Sequence, residues 1–163
     1  YSLGQLRFNF NNFKKSFKKI NLFSLPNFDK SAFDILVTDK QSAVREEATR
    51  WASPETLEKM SKDTDSWVRR HVAMNELTPR KTLLELANDA DADVVSALTS
   101  NKNCPKEVWE VVLSNTEFDE QQAIVIAENI TEELIGLARE KFPVKYHHLF
   151  RFKLIKSLEL ADP

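Results

Sequence analysis

The sequence predicts an all-α fold, a solenoid of short helices, and three observations carry this prediction. Three segments of the 163-residue chain align with one another at spacings of 24 and then 26 residues. Each segment has two apolar stretches separated by a proline. The chain contains only two glycines, so the positive-φ positions that tight β-hairpins favour are scarce. Helices this short are marginal alone and are stabilised by stacking on neighbouring units.

The aligned segments are residues 42–63, 66–89 and 92–115. Degenerate outer copies at residues 33–39 and 126–138 bring the expected number of units to about four to five. The solenoid is therefore predicted to occupy residues 30–138. The valines and the apolar residues four places after them define the expected buried stripe of the first helix in each unit: Val44, Ala48, Val68, Val72, Val94 and Leu98.

The first helix of each unit is predicted to start at a residue whose side-chain oxygen accepts from the free N–H groups of the first turn. These residues are Asp65 and Asp91, with Ser42 in the earlier copy. Asn75 and Asn101 are expected to end the helix, because asparagine tolerates the left-handed conformation found just after a helix.

The second helix is predicted to open at Ser53-Pro54, Thr78-Pro79 or Cys104-Pro105. Proline suits the first helical position, since its missing N–H would have no partner there. The apolar side of this helix is expected to comprise Leu57, Met60, Leu83, Leu86, Val108, Val111 and Val112.

The second copy carries the string V-R-x-x-V-A-x-N-x-x-T-P-x-x-x-L-x-x-L-A-x-D-x-D, from Val68 to Asp91. This string resembles the leucine-rich repeat variant family, a bacterial, HEAT-like α-solenoid. The resemblance covers about residues 30–138, although Trp51 replaces the asparagine in the first copy and Val95 replaces the arginine in the third. It implies a binding scaffold without a conserved chemistry. Some members carry an iron–sulfur cluster on an N-terminal cysteine-rich segment, which this chain lacks, so no cofactor is expected.

The residues that most resemble catalytic groups have simpler interpretations. Cys104 stands where the other copies have serine and threonine before a proline, so a small residue at a helix start is expected. His71 lies beside the core positions without a second ligand in sequence. His147 and His148 are adjacent and point about 100° apart on a helix, which disfavours a shared metal. No triad order, paired-carboxylate motif or glycine-rich phosphate loop is recognisable. We expect no enzymatic activity, no metal and no small-molecule substrate.

One helix face is a candidate surface for a partner. Trp67, Arg70 and Met74 lie at i, i+3 and i+7, opposite the Val68 and Val72 stripe, and the other copies place small or charged residues there. Tryptophan and arginine are enriched in binding hot spots. Arg50 and Trp51 in the preceding unit extend the same surface in this hypothesis. The alternative is that Trp67 packs on the edge of a neighbouring unit. The equivalent residues in the flanking copies are Ala43, Asp93, Glu46, Ser96, Arg50 and Ser100.

Both ends of the chain are basic and amphipathic. Residues 1–29 are predicted to form a capping helix with a candidate basic patch, and residues 139–163 a second basic cap helix. An anionic membrane surface and nucleic-acid phosphates are the alternative targets of the first segment. Residues 31–138 carry eleven basic and twenty-one acidic side chains, so phosphates would be repelled from the middle of the chain. The patch consists of Lys14, Lys15, Lys18 and Lys19.

The sequence therefore favours a non-enzymatic scaffold that binds an unidentified protein partner through a solenoid surface. A nucleic-acid-binding HEAT-like protein and a peripheral membrane module are the alternatives. The single cysteine is compatible with a reducing cytoplasm, and a bacterial source follows from the resemblance alone. Because the chain starts at Tyr1 rather than Met, we expect a trimmed segment of a longer product.

Overall fold

The computed structural model describes residues 30–115 and 118–151. Every regular element in these two ranges is helical and none is a strand, which confirms the all-α prediction. The described residues fall into two units, which divide between residues 35 and 36. The contacts described below lie within the second unit. The predicted cap at residues 1–29, with its patch Lys14, Lys15, Lys18 and Lys19, lies outside the described residues.

Nine α-helices lie in the described ranges, and four short 3₁₀ stretches accompany them. The α-helices are α1 Lys30–Val37, α2 Ser42–Ala48, α3 Pro54–Met60, α4 Ser66–Met74, α5 Arg80–Leu86, α6 Ala92–Ala97, α7 Lys106–Ser114, α8 Glu120–Asn129 and α9 Ile135–Lys141. The 3₁₀ stretches are Thr49–Trp51, Leu98–Ser100, Glu132–Leu134 and Val144–Phe150.

The helices contact one another in an alternating order along the chain. Helices α2, α4, α6 and α8 each contact the next in that series, and the 3₁₀ stretch Val144–Phe150 contacts α8. Helices α5, α7 and α9 form a second such series. Helix α4 also contacts α3 before it and α5 after it. First helices therefore lie beside first helices, and second helices beside second helices.

The core consists largely of the predicted stripes. Val68, Val72, Val94 and Leu98 are fully buried, as the i, i+4 spacing predicts. The prediction for Val111 is wrong, because its side chain is 37% exposed. Helix α7 is rotated so that its buried side comprises Val108, Trp109, Val112 and Leu113.

The helix starts agree in part with the sequence. Asp65 and Asp91 cap α4 and α6 by accepting from the backbone N–H two residues ahead. Ser53 caps α3 by accepting from the Thr56 N–H, three residues ahead. Ser42 is not a cap, since α2 begins at that residue and Gln41 precedes it without a side-chain hydrogen bond.

The prolines take two different positions. Pro54 is the first residue of α3 as predicted, whereas Pro79 and Pro105 stand one residue before α5 and α7 with extended ψ angles. A proline at the cap position also lacks only an N–H that has no helical partner, so the shift leaves the backbone hydrogen bonds satisfied.

The predicted left-handed helix ends are wrong. Asn75 has φ −75° and ψ 125°, and Asn101 has φ −81° and ψ 118°, so both are extended. No described non-glycine residue has a positive φ. The side chains of both asparagines form hydrogen bonds, which are described below.

The C-terminal cap is not one helix in its described part. Helix α9 begins at Ile135 and ends at Lys141, Pro143 follows, and a 3₁₀ stretch begins at Val144. Proline lacks the N–H that a continued helix needs and clashes with the preceding turn. The Phe142 ring lies 5.7 Å from that of Tyr146 and 6.0 Å from that of Phe150. Residues 152–163 lie outside the described ranges.

Candidate functional site

The Trp67 surface, defined as Trp67, Arg70 and Met74, lies on one face of α4. Trp67 is 54% exposed and Met74 is 38% exposed. The Arg70 guanidinium carbon lies 5.0 Å from the centroid of the indole ring, within range of a cation–π contact. More than half of the Trp67 residue therefore remains exposed after its contacts within the chain.

Arg70 brings a positive charge to this surface that has no ion-pair partner among the described residues. Among the described residues, no carboxylate lies within 4.0 Å of its guanidinium, whereas Arg50 is 3.6 Å from Glu47. Its contact with the indole ring orders both side chains, which lowers the conformational entropy that binding would cost.

His71 holds α4 to α2. Its Nδ1 lies 2.9 Å from the Trp67 carbonyl oxygen, and its Nε2 lies 3.4 Å from a carboxylate oxygen of Glu46. Both ring nitrogens are thus engaged within the chain. This placement fits a histidine at the boundary of the core rather than a catalytic base.

Trp51, which the sequence hypothesis adds to the Trp67 surface, is less exposed than Trp67. Its side chain is half-buried, and its indole N–H is enclosed without a hydrogen-bond acceptor in the described part of the chain. Arg50 is exposed and lies in the 3₁₀ stretch Thr49–Trp51, which follows α2. Leu77 was missed by the sequence analysis, although it is 59% exposed in the loop after α4. The sequence could have indicated it only as an apolar residue in a predicted loop.

Two arginines each bind the aspartate at the end of their own segment and a backbone carbonyl at the end of the segment before. Arg45 donates through Nε and Nη2 to the Asp63 carboxylate, both at 2.7 Å, and through Nη1 to the Asp39 carbonyl at 2.8 Å. Arg69 donates to the Asp89 carboxylate at 2.7 and 2.9 Å and to the Asp63 carbonyl at 2.8 Å. Bidentate pairs of this kind are the strongest hydrogen bonds between side chains. We call these contacts the Arg–Asp ladder.

The Arg–Asp ladder stops after two arginines because the third copy has Val95 in that place. Arg69 and Asp89 both belong to the string from Val68 to Asp91, but no contact between them was predicted from it. The available signal was an arginine directly after the core valine, matched by an aspartate at the end of the same unit. Since the two partners are 18 or 20 residues apart, helix periodicity alone does not connect them.

The ladder lowers the pKa of its carboxylates. Burial raises the pKa of Asp63, but hydrogen bonds from Arg45 and from the Asp65 backbone N–H outweigh burial, and the pKa is lowered. Burial likewise raises the pKa of Asp89, and Arg69 together with the Asp91 N–H lowers it further than burial raises it. Both carboxylates are therefore ionised at neutral pH.

Acidification is expected to destabilise the fold through these two groups. A carboxylate with a lowered folded pKa stabilises the fold above its unfolded pKa, and this contribution is lost as the pH falls through the folded pKa. Because the pKa of an unfolded aspartate is about 3.9, we expect this stabilisation to decrease below roughly pH 5. Urea unfolding at several pH values measures it.

Asp89→Asn tests the assignment of that acid sensitivity. We expect lower stability at pH 7 and a shallower decrease in acid than in the wild type, whereas Glu110→Gln, at an exposed position, should leave the decrease unchanged. An Asp89→Asn variant with the wild-type pH dependence would contradict the role of the ladder.

Asparagine side chains form a second set of links between segments. The Asn75 carboxamide donates to the Thr49 carbonyl at 2.8 Å. The Asn101 carboxamide donates to the Ala73 carbonyl at 2.9 Å and to the Asn75 carbonyl at 2.7 Å. Each asparagine thus satisfies backbone oxygens at the end of the preceding first helix, which have no helical partner. We call these contacts the asparagine ladder.

Cys104, His147 and His148 are the other side chains that could carry reactive groups. Burial raises the pKa of the Cys104 thiol to about 12, so it carries no thiolate at neutral pH. His147 and His148 each contact a different backbone carbonyl, those of Phe142 and Lys145. Within residues 30–115 and 118–151, no group of three or more His, Cys, Asp or Glu side chains is placed to hold a metal ion. No helix in these ranges has both the length and the apolar character to cross a membrane.

No protein-family model, curated protein or solved structure gives a significant match to this chain. The resemblance to the leucine-rich repeat variant family therefore stays a prediction from the sequence.

Proposed function

We propose that the chain is a non-enzymatic protein-binding module of solenoid architecture, and that the Trp67 surface is its binding site. The observation that carries this proposal is an exposed tryptophan held beside an arginine without an ion-pair partner in the described ranges. Tryptophan and arginine dominate hot spots because they supply large contact area together with directional charge. Neither Trp67 nor Arg70 is among the buried residues of the core.

The order of helix contacts supports the solenoid part of the proposal. Successive first helices contact one another, successive second helices do the same, and both ladders include hydrogen bonds between consecutive segments. In a solenoid each unit contacts its neighbours and presents a continuous surface along the row. The Trp67 surface would lie on that row between α2 and α6.

The chemistry of this surface indicates the kind of protein segment that it would bind. The indole ring and Met74 offer apolar area, and Arg70 offers a cation. The complementary segment carries an apolar side chain next to an aspartate or glutamate. Burial of the Arg70 charge without such a carboxylate would cost free energy.

Trp67→Ala is expected to weaken partner binding by about thirtyfold, which corresponds to a hot-spot loss of about 2 kcal/mol. The melting temperature should stay close to the wild-type value, since most of the side chain is exposed. The partner is first recovered by affinity purification with the wild type and with a Trp67→Ala/Arg70→Ala variant, and its dissociation constant is then measured with the purified proteins.

Two exposed residues outside this surface provide matched controls. Val144 is 80% exposed, so Val144→Ala removes an exposed apolar side chain, and Arg80→Ala removes an exposed arginine. Both variants should retain the partner. A large drop in melting temperature on Trp67→Ala would assign Trp67 to packing. Recovery of nucleic acid with both the wild type and the double variant would favour a nucleic-acid-binding protein instead.

A further inference from the structure

A cleft of about 620 Å³ lies beside the joint between α7 and α9. It is lined from one side by side chains in the range 99–109 and from the other by side chains in the range 129–134. Its volume lies within the range of small-molecule sites. The cleft is separate from the Trp67 surface, so either proposal can fail while the other holds.

The cleft contains two charged residues whose counterparts one unit earlier form an ion pair. Arg80 and Lys106 each directly follow the proline before a second helix. Glu107 and Glu133 each directly precede the first buried apolar residue of their helical segment. Arg80 on α5 lies 2.6 Å from Glu107 on α7. Lys106 on α7 and Glu133 before α9 both line the cleft, but their charged atoms are not within 4.0 Å of each other.

Both of these charges are available to a ligand. Among residues 30–115 and 118–151, neither Lys106 nor Glu133 has an oppositely charged side chain within 4.0 Å, and both residues are exposed. Lys102, the other lysine in the lining, is paired with Glu76 at 2.8 Å. Since α7 and α9 contact each other, the cleft presents one cation and one anion from neighbouring second helices.

The amide side chains in the lining are already engaged within the chain. The Asn129 carboxamide donates to the Val125 carbonyl at 2.8 Å and to the Ser100 hydroxyl at 3.3 Å. The Asn101 carboxamide makes the two donations of the asparagine ladder. The charges of Lys106 and Glu133 are therefore the groups most able to select a ligand.

We propose that the cleft binds a free amino acid with an apolar side chain, whose carboxylate contacts Lys106 and whose ammonium group contacts Glu133. The ligand would join the two charges that their counterparts Arg80 and Glu107 join by direct contact. Trp109 and Leu134 contribute apolar surface to the same cleft for the ligand side chain. Charge-assisted hydrogen bonds at both ends favour a zwitterion over a molecule with only one of the two charges.

Titration calorimetry and amide chemical shifts in NMR spectra of the full chain test this proposal. L-leucine and L-phenylalanine are compared with N-acetyl-L-leucine, which lacks the ammonium group, with L-leucinamide, which lacks the carboxylate, and with glycine, which lacks the apolar side chain. We expect the first two to bind at least about fivefold more tightly than each of the other three. The shifts should be concentrated in residues 99–109 and 129–134.

Two variants assign each charge to its partner on the ligand. Lys106→Gln should remove the preference for leucine over leucinamide, and Glu133→Gln should remove the preference for leucine over N-acetyl-leucine. Both residues are exposed, so we expect both variants to fold. Lys62→Gln and Glu110→Gln, at exposed positions outside the cleft, should retain both preferences.

Three results would overturn the proposal. The first is that neither leucine nor phenylalanine binds. The second is that all five compounds bind equally. The third is that Lys106→Gln and Glu133→Gln bind them as the wild type does.

Discussion

Arg69→Ala is expected to lower the free energy of unfolding by about 3 kcal/mol. The guanidinium makes two hydrogen bonds to the Asp89 carboxylate and one to the Asp63 carbonyl. The side chains of Arg69 and Asp89 are only 17% and 9% exposed. Removing the arginine therefore leaves the Asp89 carboxylate largely buried without its counter-charge. Urea unfolding at pH 7, followed by far-UV circular dichroism, measures the loss.

Arg80→Ala is the matched control for that measurement. Arg80 lies 2.6 Å from Glu107 and joins α5 to α7, yet the two side chains are 62% and 54% exposed. Exposed ion pairs contribute little to the free energy of unfolding, because water and salt screen them. We expect unfolding indistinguishable from that of the wild type. If Arg69→Ala and Arg80→Ala lowered the free energy of unfolding equally, burial would not explain how much each ion pair stabilises the fold.

The parts of the fold that the sequence predicted correctly are those set by local chemistry. Asp65 and Asp91 cap their helices because the cap joins residues two apart. The stripe at Val68 and Val72 follows from helix periodicity alone. These features depend on a few consecutive residues, so one sequence contains the necessary information.

The features that were missed depend on neighbouring segments. The rotation of α7 that buries Trp109 and exposes Val111 is decided by the helices that α7 contacts, α5 and α9. Asn101 was expected to adopt a left-handed backbone, but its side chain bonds to a carbonyl 28 residues away, and an extended backbone accompanies that bond. Alignment identified these positions as recurrent without indicating which partner each residue contacts.

The candidate site shows the same division. Alignment identified Trp67, Arg70 and Met74 because other copies do not require those residue types there. It also included Trp51, whose indole N–H proves to be enclosed. How far each of these side chains is exposed depends on contacts with other segments, which alignment does not indicate.

Asn101→Ala is expected to cost about 2–3 kcal/mol of unfolding free energy. The side chain is buried, donates to the Ala73 and Asn75 carbonyls, and accepts from the Asn103 N–H at 2.8 Å. Alanine leaves these groups without that partner at a place where water has little access. Each unsatisfied buried group carries its own desolvation cost, so the loss exceeds that of one ordinary hydrogen bond. Thermal and urea unfolding measure it.

Asn103→Ala is the control, because the same residue type makes one exposed hydrogen bond to the Glu76 carbonyl at 2.9 Å. Water can replace that bond, and we expect a loss below about 0.5 kcal/mol. A small loss for Asn101→Ala would mean that water enters the joint between α4 and α6 and satisfies the freed groups. The asparagine ladder would then not set the stability of the joint.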